Sequence, residues 1–522
     1  MISSLLQTCN FGSVFAFFPK ILQTTYTAGT QHLAAFLPQW ILKRSAIRYY
    51  TIEKYKKAPD MFKKETYIAR REQLRKDVGR GLIILPGNHE APCNYPNNTY
   101  WFRQDSTFLY FFGLQREDLV GVIDCETGKD YIFANDYDID DIIWTGPLPS
   151  VKELAASVGV DNSGSMADLR KFLEGKRPTS ALPLYLPPYR ADTRADLAEW
   201  LGLSYSAVNR HASLELTLAC VKQRSIKSAE EIEEIERAVE TAYNMHVGAM
   251  KMAMPGCYEY ELAGFMQGEA WKGNGPVSFP VIMTVHGETL HNHGHNNRLE
   301  VGRMLVMDAG AETAMNYCSD ITRSVPVGGR FDERQKAIYE IVLAANMEAI
   351  RATRPGITYQ EVHQAASRIL AEGYKGLGIL KGNTDDIIDA GAHSLLMPHG
   401  LGHMMGLDVH DMENYGQINV GYDDETRPSE QFGLGSLRCG RRLQEGFVIT
   451  DEPGCYFIPA LIDKWRADGM HKDFVNYDEL EKWKDFGGIR IEDDILVTAD
   501  GCRVLGKPIP KTVAEIEAVM AS

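Results

Sequence analysis

The chain of 522 residues carries a formal charge of -15, with 44% apolar and 24% charged residues, the balance of a globular protein in water. That acidity argues against a general nucleic-acid or anionic-membrane surface, which needs a basic face, and the length calls for two domains rather than one core. Nine scattered cysteines, odd in number and without a Cys-x-x-Cys pair, argue against a disulfide framework or structural zinc and fit reduced thiols in a cytoplasmic protein.

Residues 1–60 are rich in Phe, Leu, Thr and Gln, poor in acids, and without a clear period. Phe15-Ala-Phe-Phe18 is too short to span a bilayer and lacks the charged start of a signal peptide. This stretch reads as an appendage that packs poorly or not at all, with Met61 as the natural beginning; a cleaved targeting segment is the alternative. From Tyr67 a charged helix (Arg70, Arg71, Leu74, Val78) leads into Gly81-Leu-Ile-Ile-Leu-Pro86, a buried strand. Arg103-Gln-Asp-Ser-Thr-Phe-Leu-Tyr-Phe-Phe112 reads as an aromatic-rich strand. Val120-Gly-Val-Ile-Asp124 and Tyr131-Ile-Phe133 make a hairpin. Helical patterns at about 150–174 and 192–202 complete an α/β domain over residues 61–215. The proline-rich piece Leu182-Pro-Leu-Tyr-Leu-Pro-Pro188 falls within it or at its edge.

A second domain, 216–522, opens at the capping box Ser228-Ala-Glu-Glu231. Its helix ends before Met254-Pro-Gly256, and another begins near Tyr258 with Glu261-Leu262. One hundred residues later a helix containing Asn346-Met347 stops at Arg354-Pro-Gly356, and the next starts at Thr358 with Glu361-Val362. The matched units predict a duplicated, pseudo-symmetric domain with a cleft between its halves.

The chemistry is carried by Asp308-Ala-Gly-Ala-Glu-Thr-Ala-Met-Asn-Tyr-Cys-Ser-Asp320-Ile-Thr-Arg323, set between the apolar runs Met304-Leu-Val-Met307 and Ser324-Val-Pro-Val327. Strand, polar return and strand predict a hairpin that brings two carboxylates together in a dry place. Such a pair must be protonated, neutralised or used to hold a metal. Three later stretches supply further donors: His399-Gly-Leu-Gly-His403 through His410-Asp411, then Phe447-Val-Ile-Thr-Asp-Glu452-Pro-Gly, then Gly488-Ile-Arg-Ile-Glu492-Asp-Asp-Ile-Leu-Val497. In the last, alternation sets Arg490, Glu492 and Asp494 on one face, where a plain Arg490–Glu492 ion pair is the bland alternative. Asp308, Asp320, His403, Glu452 and Glu492 together make four carboxylates and one imidazole. That set suits Mn²⁺, Mg²⁺, Co²⁺ or Zn²⁺, and bridging carboxylates can hold two ions about 3.5–4 Å apart for hydrolysis of a small substrate.

These motifs, in this order from Met61 to Ser522, resemble the metallopeptidase family of aminopeptidase P and prolidase. The resemblance implies a creatinase-like amino-terminal α/β domain, its signature matched by Arg103-Gln-Asp-Ser-Thr-Phe, before a pseudo-symmetric α+β "pita-bread" catalytic domain. It implies two divalent metals, usually manganese: Asp308 on one, His403 with Glu452 on the other, Asp320 and Glu492 bridging. Glu452 would also be the general base, His291 and His410 would steady substrate and intermediate, and His399 and Arg490 would support them. Arg438, in Ser436-Leu-Arg438, matches the prolidase arginine that binds a free carboxylate. Asp308 and Asp320 stand one residue further apart than is usual, which implies a bulged return. Asp451 stands where an apolar residue is common and reads as structural. The implied substrates are short proline-containing peptides and the implied assembly is a homodimer or homotetramer, with no nucleic-acid or membrane partner. A metal-free pseudoenzyme acting as a binding module is the alternative.

Overall fold

The computed structural model describes residues 61–176 and 182–522, so the expectation for residues 1–60 lies outside the described residues. Helix α1 (Lys64–Val78) forms as expected, but its adjacent arginines Arg70 and Arg71 do not face solvent. Arg71 is fully buried, donating to the carbonyls of Phe111 and Val158 and to Asp130. Strand β1 (Leu82–Pro86) then enters a four-stranded sheet with β2 (Val120–Asp124), β3 (Lys129–Phe133) and β4 (Asn162–Gly164). The pleat sends Leu82 and Ile84 to one apolar cluster with Leu197 and Trp200, and Ile83 and Leu85 to another with Phe108. Both faces are covered, which is why β1 reads as an unbroken apolar run. The proline-rich piece lies along its edge, with Leu184 exchanging backbone hydrogen bonds with Leu82 and Ile84.

The expected strand over 103–112 is instead a helix, α2 (Ser106–Phe112). Asp105 caps it, its carboxylate accepting from the backbone N–H groups of Thr107 and Phe108, and Gly113 at φ +66° ends it. An apolar run without alternation fits a buried helix as well as a buried strand, and here the cap decides. The 150–174 pattern divides into α3 (Val151–Ser157) and α4 (Met166–Lys176) with β4 between them, and α5 (Ala191–Leu201) follows. Helix α6 (Leu214–Ser225) straddles the anticipated 215/216 division.

Beyond it the duplication is visible at the level of single hydrogen bonds. Helices α7 (Ala229–Met252) and α8 (Glu259–Lys272) form one pair, and α9 (Glu333–Ala352) and α10 (Tyr359–Gly376) the other. In the first pair the N–H of Gly256 donates to Leu299, and that of Leu299 to Cys257; in the second, Gly356 donates to Leu443, and Leu443 to Ile357. Both glycines hold positive φ, +99° and +86°, a conformation that favours glycine and explains the repeated Pro-Gly. Each helix pair backs a three-stranded antiparallel sheet. The first sheet is β5 (Ile282–Thr284), β6 (Met304–Asp308) and β7 (Thr322–Pro326); the second joins β8 (Val448–Asp451) to β11 (Asp493–Val497) and β12 (Cys502–Val504). Between them lies the small pair β9 (Gly454–Tyr456) and β10 (Gly488–Arg490). This is the pita-bread arrangement, preceded by an α/β domain.

Two local expectations change. The β6–β7 hairpin carries no bulge: Asp308 faces Thr322, Ala309 bonds Ile321, Ser319 bonds Ala311 and Thr313 bonds Tyr317, all in one register. The return closes at its tip, where Asn316 takes φ +64°, so added length changes the tip and leaves the carboxylates where the ladder sets them. The stretch 488–497 is two strands, β10 and β11, broken at Ile491–Glu492. The break lets one segment serve two sheets.

Candidate metal centre

Asp308 ends β6 and Asp320 begins the approach to β7, so the hairpin ladder sets both at the cleft. Glu452 follows β8, Glu492 lies in the break between β10 and β11, and His403 sits in the glycine-bordered loop beside β8. There the N–H of Thr450 donates to the His403 carbonyl, and the N–H of His403 donates to Thr450 Oγ1. Gly402 is required here: a Cβ on it would lie 2.2 Å from the carbonyl oxygen of Thr450. All five line one cavity of about 620 Å³, together with His291, His399, His410, Arg438 and Arg490. The ten residues singled out from the sequence therefore converge, from stretches up to two hundred residues apart.

Asp320, His403 and Glu492 each offer a ligand atom, and these atoms lie within 4.8 Å of one another. His403 Nε2 stands 3.4 Å from Asp320 and 3.8 Å from Glu452, while its Nδ1 faces the carbonyl of Met404 at 3.0 Å. Burial holds His403 neutral, its pKa lowered to about 4, which leaves Nε2 free to ligate. Burial, with the charge of Asp308, raises the pKa of Asp320; burial and Glu492 raise Glu452; burial and Asp320 raise Glu492. Packed carboxylates of this kind cannot all ionise unless cations share the space. Asp308 Oδ1 is buried without a hydrogen-bond partner, although such atoms ordinarily have one. The donor set fits divalent metal.

The supporting shell differs from the bland alternative. Arg490 does not pair with Glu492: its Nη2 donates to Asp308 Oδ2 at 2.5 Å, Nη1 to Tyr456 Oη at 2.9 Å and Nε to Thr322 Oγ1 at 3.1 Å. Thr322 in turn donates to Glu492 at 2.7 Å. His399 Nε2 lies 2.9 Å from the Tyr456 hydroxyl, and Nδ1 lies 3.9 Å from Glu452. His410 stacks on His403 with ring centroids 3.7 Å apart. Arg323, the arginine inside the Asp308–Asp320 segment, turns away and pairs with Asp493 at 2.7 Å. Asp451 is buried and accepts from Asn346 at 3.1 Å, away from the metal donors. Asn292 bonds Thr284 rather than entering the cavity; His291 and His293 line it.

Thr322 and Tyr456 were not anticipated, although Thr322 stands inside the Asp308–Arg323 segment, two residues after Asp320, and Tyr456 lies just past the Glu452-Pro-Gly motif. The apolar wall of Phe279, Pro280, Ile282, Leu290 and Val409 carried no signal, because apolar residues are expected everywhere.

The family model for metallopeptidase family M24 matches residues 233–499, and that for the aminopeptidase P N-terminal domain matches residues 67–181. The chain belongs to metallopeptidase family M24. Among M24 relatives, it is 33% identical over 463 residues to the Xaa-Pro dipeptidase of Homo sapiens, covering 86% of this chain and 91% of that protein. It is similar in structure to Pseudomonas aeruginosa aminopeptidase PepP, with a TM-score of 0.74 at 29% identity over 89% of this chain and 99% of that one. The zinc-substituted aminopeptidase P of Escherichia coli in complex with product gives a TM-score of 0.73 at 28% identity, over 88% and 99%. Family M24 membership makes the chain a metal-dependent peptidase, and the five donors agree with it. No helix among the described residues is long and apolar enough to cross a membrane.

Proposed function

We propose that this chain hydrolyses the Xaa-Pro bond of dipeptides or at the amino terminus of short peptides, with two divalent ions, manganese by preference. The observation that carries this reading is the convergence of Asp308, Asp320, His403, Glu452 and Glu492 on one cavity. When bound, such ions sharpen a water as nucleophile and polarise a carbonyl. Asp308 would hold one ion and His403 with Glu452 the other, with Asp320 and Glu492 shared between them.

The protein's own groups do the rest. Glu452 takes the proton of the attacking water. His291 and His410 donate to the oxygen that gains charge as the tertiary amide is attacked. A bond to proline nitrogen lacks an N–H and carries a ring; the apolar wall around Pro280 and Ile282 receives that ring. Arg490 holds Asp308 in place, and His399 braces the Tyr456 hydroxyl that Arg490 also grips. Arg438, half-exposed at the cavity's edge, binds the free carboxylate of a dipeptide.

In this reading residues 61–215 form the amino-terminal domain and 216–522 the catalytic one. The assembly is a homodimer or homotetramer working in the cytoplasm. The deciding assay is purified protein with Mn²⁺ on Gly-Pro and on Gly-Pro-Pro. Cleavage of neither sinks the activity, and cleavage of the tripeptide alone sinks the role given to Arg438.

A further inference from the structure

Glu413 takes no part in the reaction described above, yet it touches two groups that do. Its Oε1 accepts from Arg438 Nη1, and its Oε2 lies 3.0 Å from His410 Nδ1. His410 and Arg438 both line the main cavity, and Glu413 joins them with His403 around a small adjoining recess. The backbone aims it there. Asp411 is clamped by Arg224 at 2.7 Å and Lys227 at 3.0 Å, and the buried Met412 takes φ +62°. A left-handed methionine persists only where its surroundings impose it, and the turn it makes brings Glu413 back towards the cavity.

A carboxylate spanning a guanidinium and an imidazole does what the terminal carboxylate of a bound dipeptide would do. We propose that Glu413 is a specificity-determining residue: it holds Arg438 with a built-in carboxylate that the dipeptide's own carboxylate must displace. The inference rests on the reading of Arg438 given above. It means that dipeptide binding is weakened by competition inside the protein, whereas a tripeptide, whose carboxylate lies further out, escapes that competition.

The test uses the metal-loaded full chain and the variants Glu413→Gln, Arg438→Met and their combination, with KM and kcat measured on Gly-Pro and Gly-Pro-Pro. Glutamine removes the charge but keeps the length and shape of the side chain beside His410. An exposed ion pair of this kind is worth about a two- to fivefold change. The expected result is that Glu413→Gln lowers KM for Gly-Pro by about that factor, shifts KM for Gly-Pro-Pro less, and has no effect on Gly-Pro KM once Arg438 is Met. If Arg438→Met raises the Gly-Pro KM but Glu413→Gln leaves it unchanged or higher, the inference about Glu413 is overturned and Arg438 keeps its role. If the Glu413→Gln effect survives in the double variant, the carboxylate acts elsewhere and the inference again fails. If Arg438→Met changes neither substrate, the reading of Arg438 falls and takes this one with it.

Discussion

Arg490 and Asp308 meet across the junction of the two halves of the catalytic domain, 2.5 Å apart and both buried. The arginine comes from β10 of one half and the aspartate from β6 of the other. Their bond holds a carboxylate in place from outside the metal-facing side.

That bond has a measurable consequence for metal binding. Arg490→Met keeps the length of the side chain but frees Asp308 and drops the links to Thr322 and Tyr456. Loss of such an outer partner lowers metal affinity by about 10- to 100-fold. Calorimetric titration of metal-stripped protein with Mn²⁺ measures it, and an affinity within threefold of the parent would refute the supporting role.

Glu452 is the most accessible of the five proposed donors, its side chain 19% exposed, so Glu452→Gln should fold normally. Removal of a general base lowers kcat by about 10²- to 10⁴-fold. Steady-state assays on Gly-Pro, with circular dichroism to confirm the fold, test this. A kcat near the parent value would assign the proton to another group.

The hairpin that carries Asp308 and Asp320 depends on Gly310. A Cβ there would lie 1.7 Å from the carbonyl oxygen of Ser319 and 2.4 Å from Ser278 Oγ. Gly310→Ala should therefore destabilise the protein by about 3 kcal/mol. Gly264, exposed within α8, has nothing within 4 Å of its Cβ position, and Gly264→Ala should stabilise by about 1 kcal/mol. Urea unfolding of the two variants separates a steric requirement from a general intolerance of substitution.

A pH dependence is built into the amino-terminal domain. His89 bonds Asp118 through Nδ1 and Asp196 through Nε2, the latter at 2.6 Å. Those bonds, outweighing burial, raise its pKa from 6.5 to about 10. A histidine with a raised folded-state pKa stabilises fully below its unfolded value, and that stabilisation is lost as pH rises through the folded value. The stability difference between the parent and His89→Gln should be largest below pH 6.5 and vanish by about pH 10. A difference that stays constant over that window would show that His89 is neutral in the folded protein.

Much of this was legible in the chain itself. The proposed metal donors are ionisable residues set at the ends of apolar runs and among glycines, and both Pro-Gly turns are demanded by backbone conformations that few other residues adopt. A capping box located the start of α7, the repeated Pro-Gly turns located the ends of α7 and α9 and the starts of α8 and α10, and the apolar runs located β1, β6 and β8. Local rules suffice for these, because each depends on neighbours along the chain.

Tertiary structure decided what depends on partners distant in sequence. Arg103–Phe112 looked like a strand because an apolar run records burial, not period, and only the cap at Asp105 and the packing of Phe108 made it a helix. The charge of Arg71 is visible in sequence, whereas the Phe111 and Val158 carbonyls that satisfy it in the interior are not. Arg490 turned to Asp308 rather than Glu492 because the strand breaks between them and feeds two sheets. Sequence determined which groups could hold metal; the folded chain determined which cation steadies which carboxylate, since electrostatic pairing depends on distance in space rather than position along the polymer.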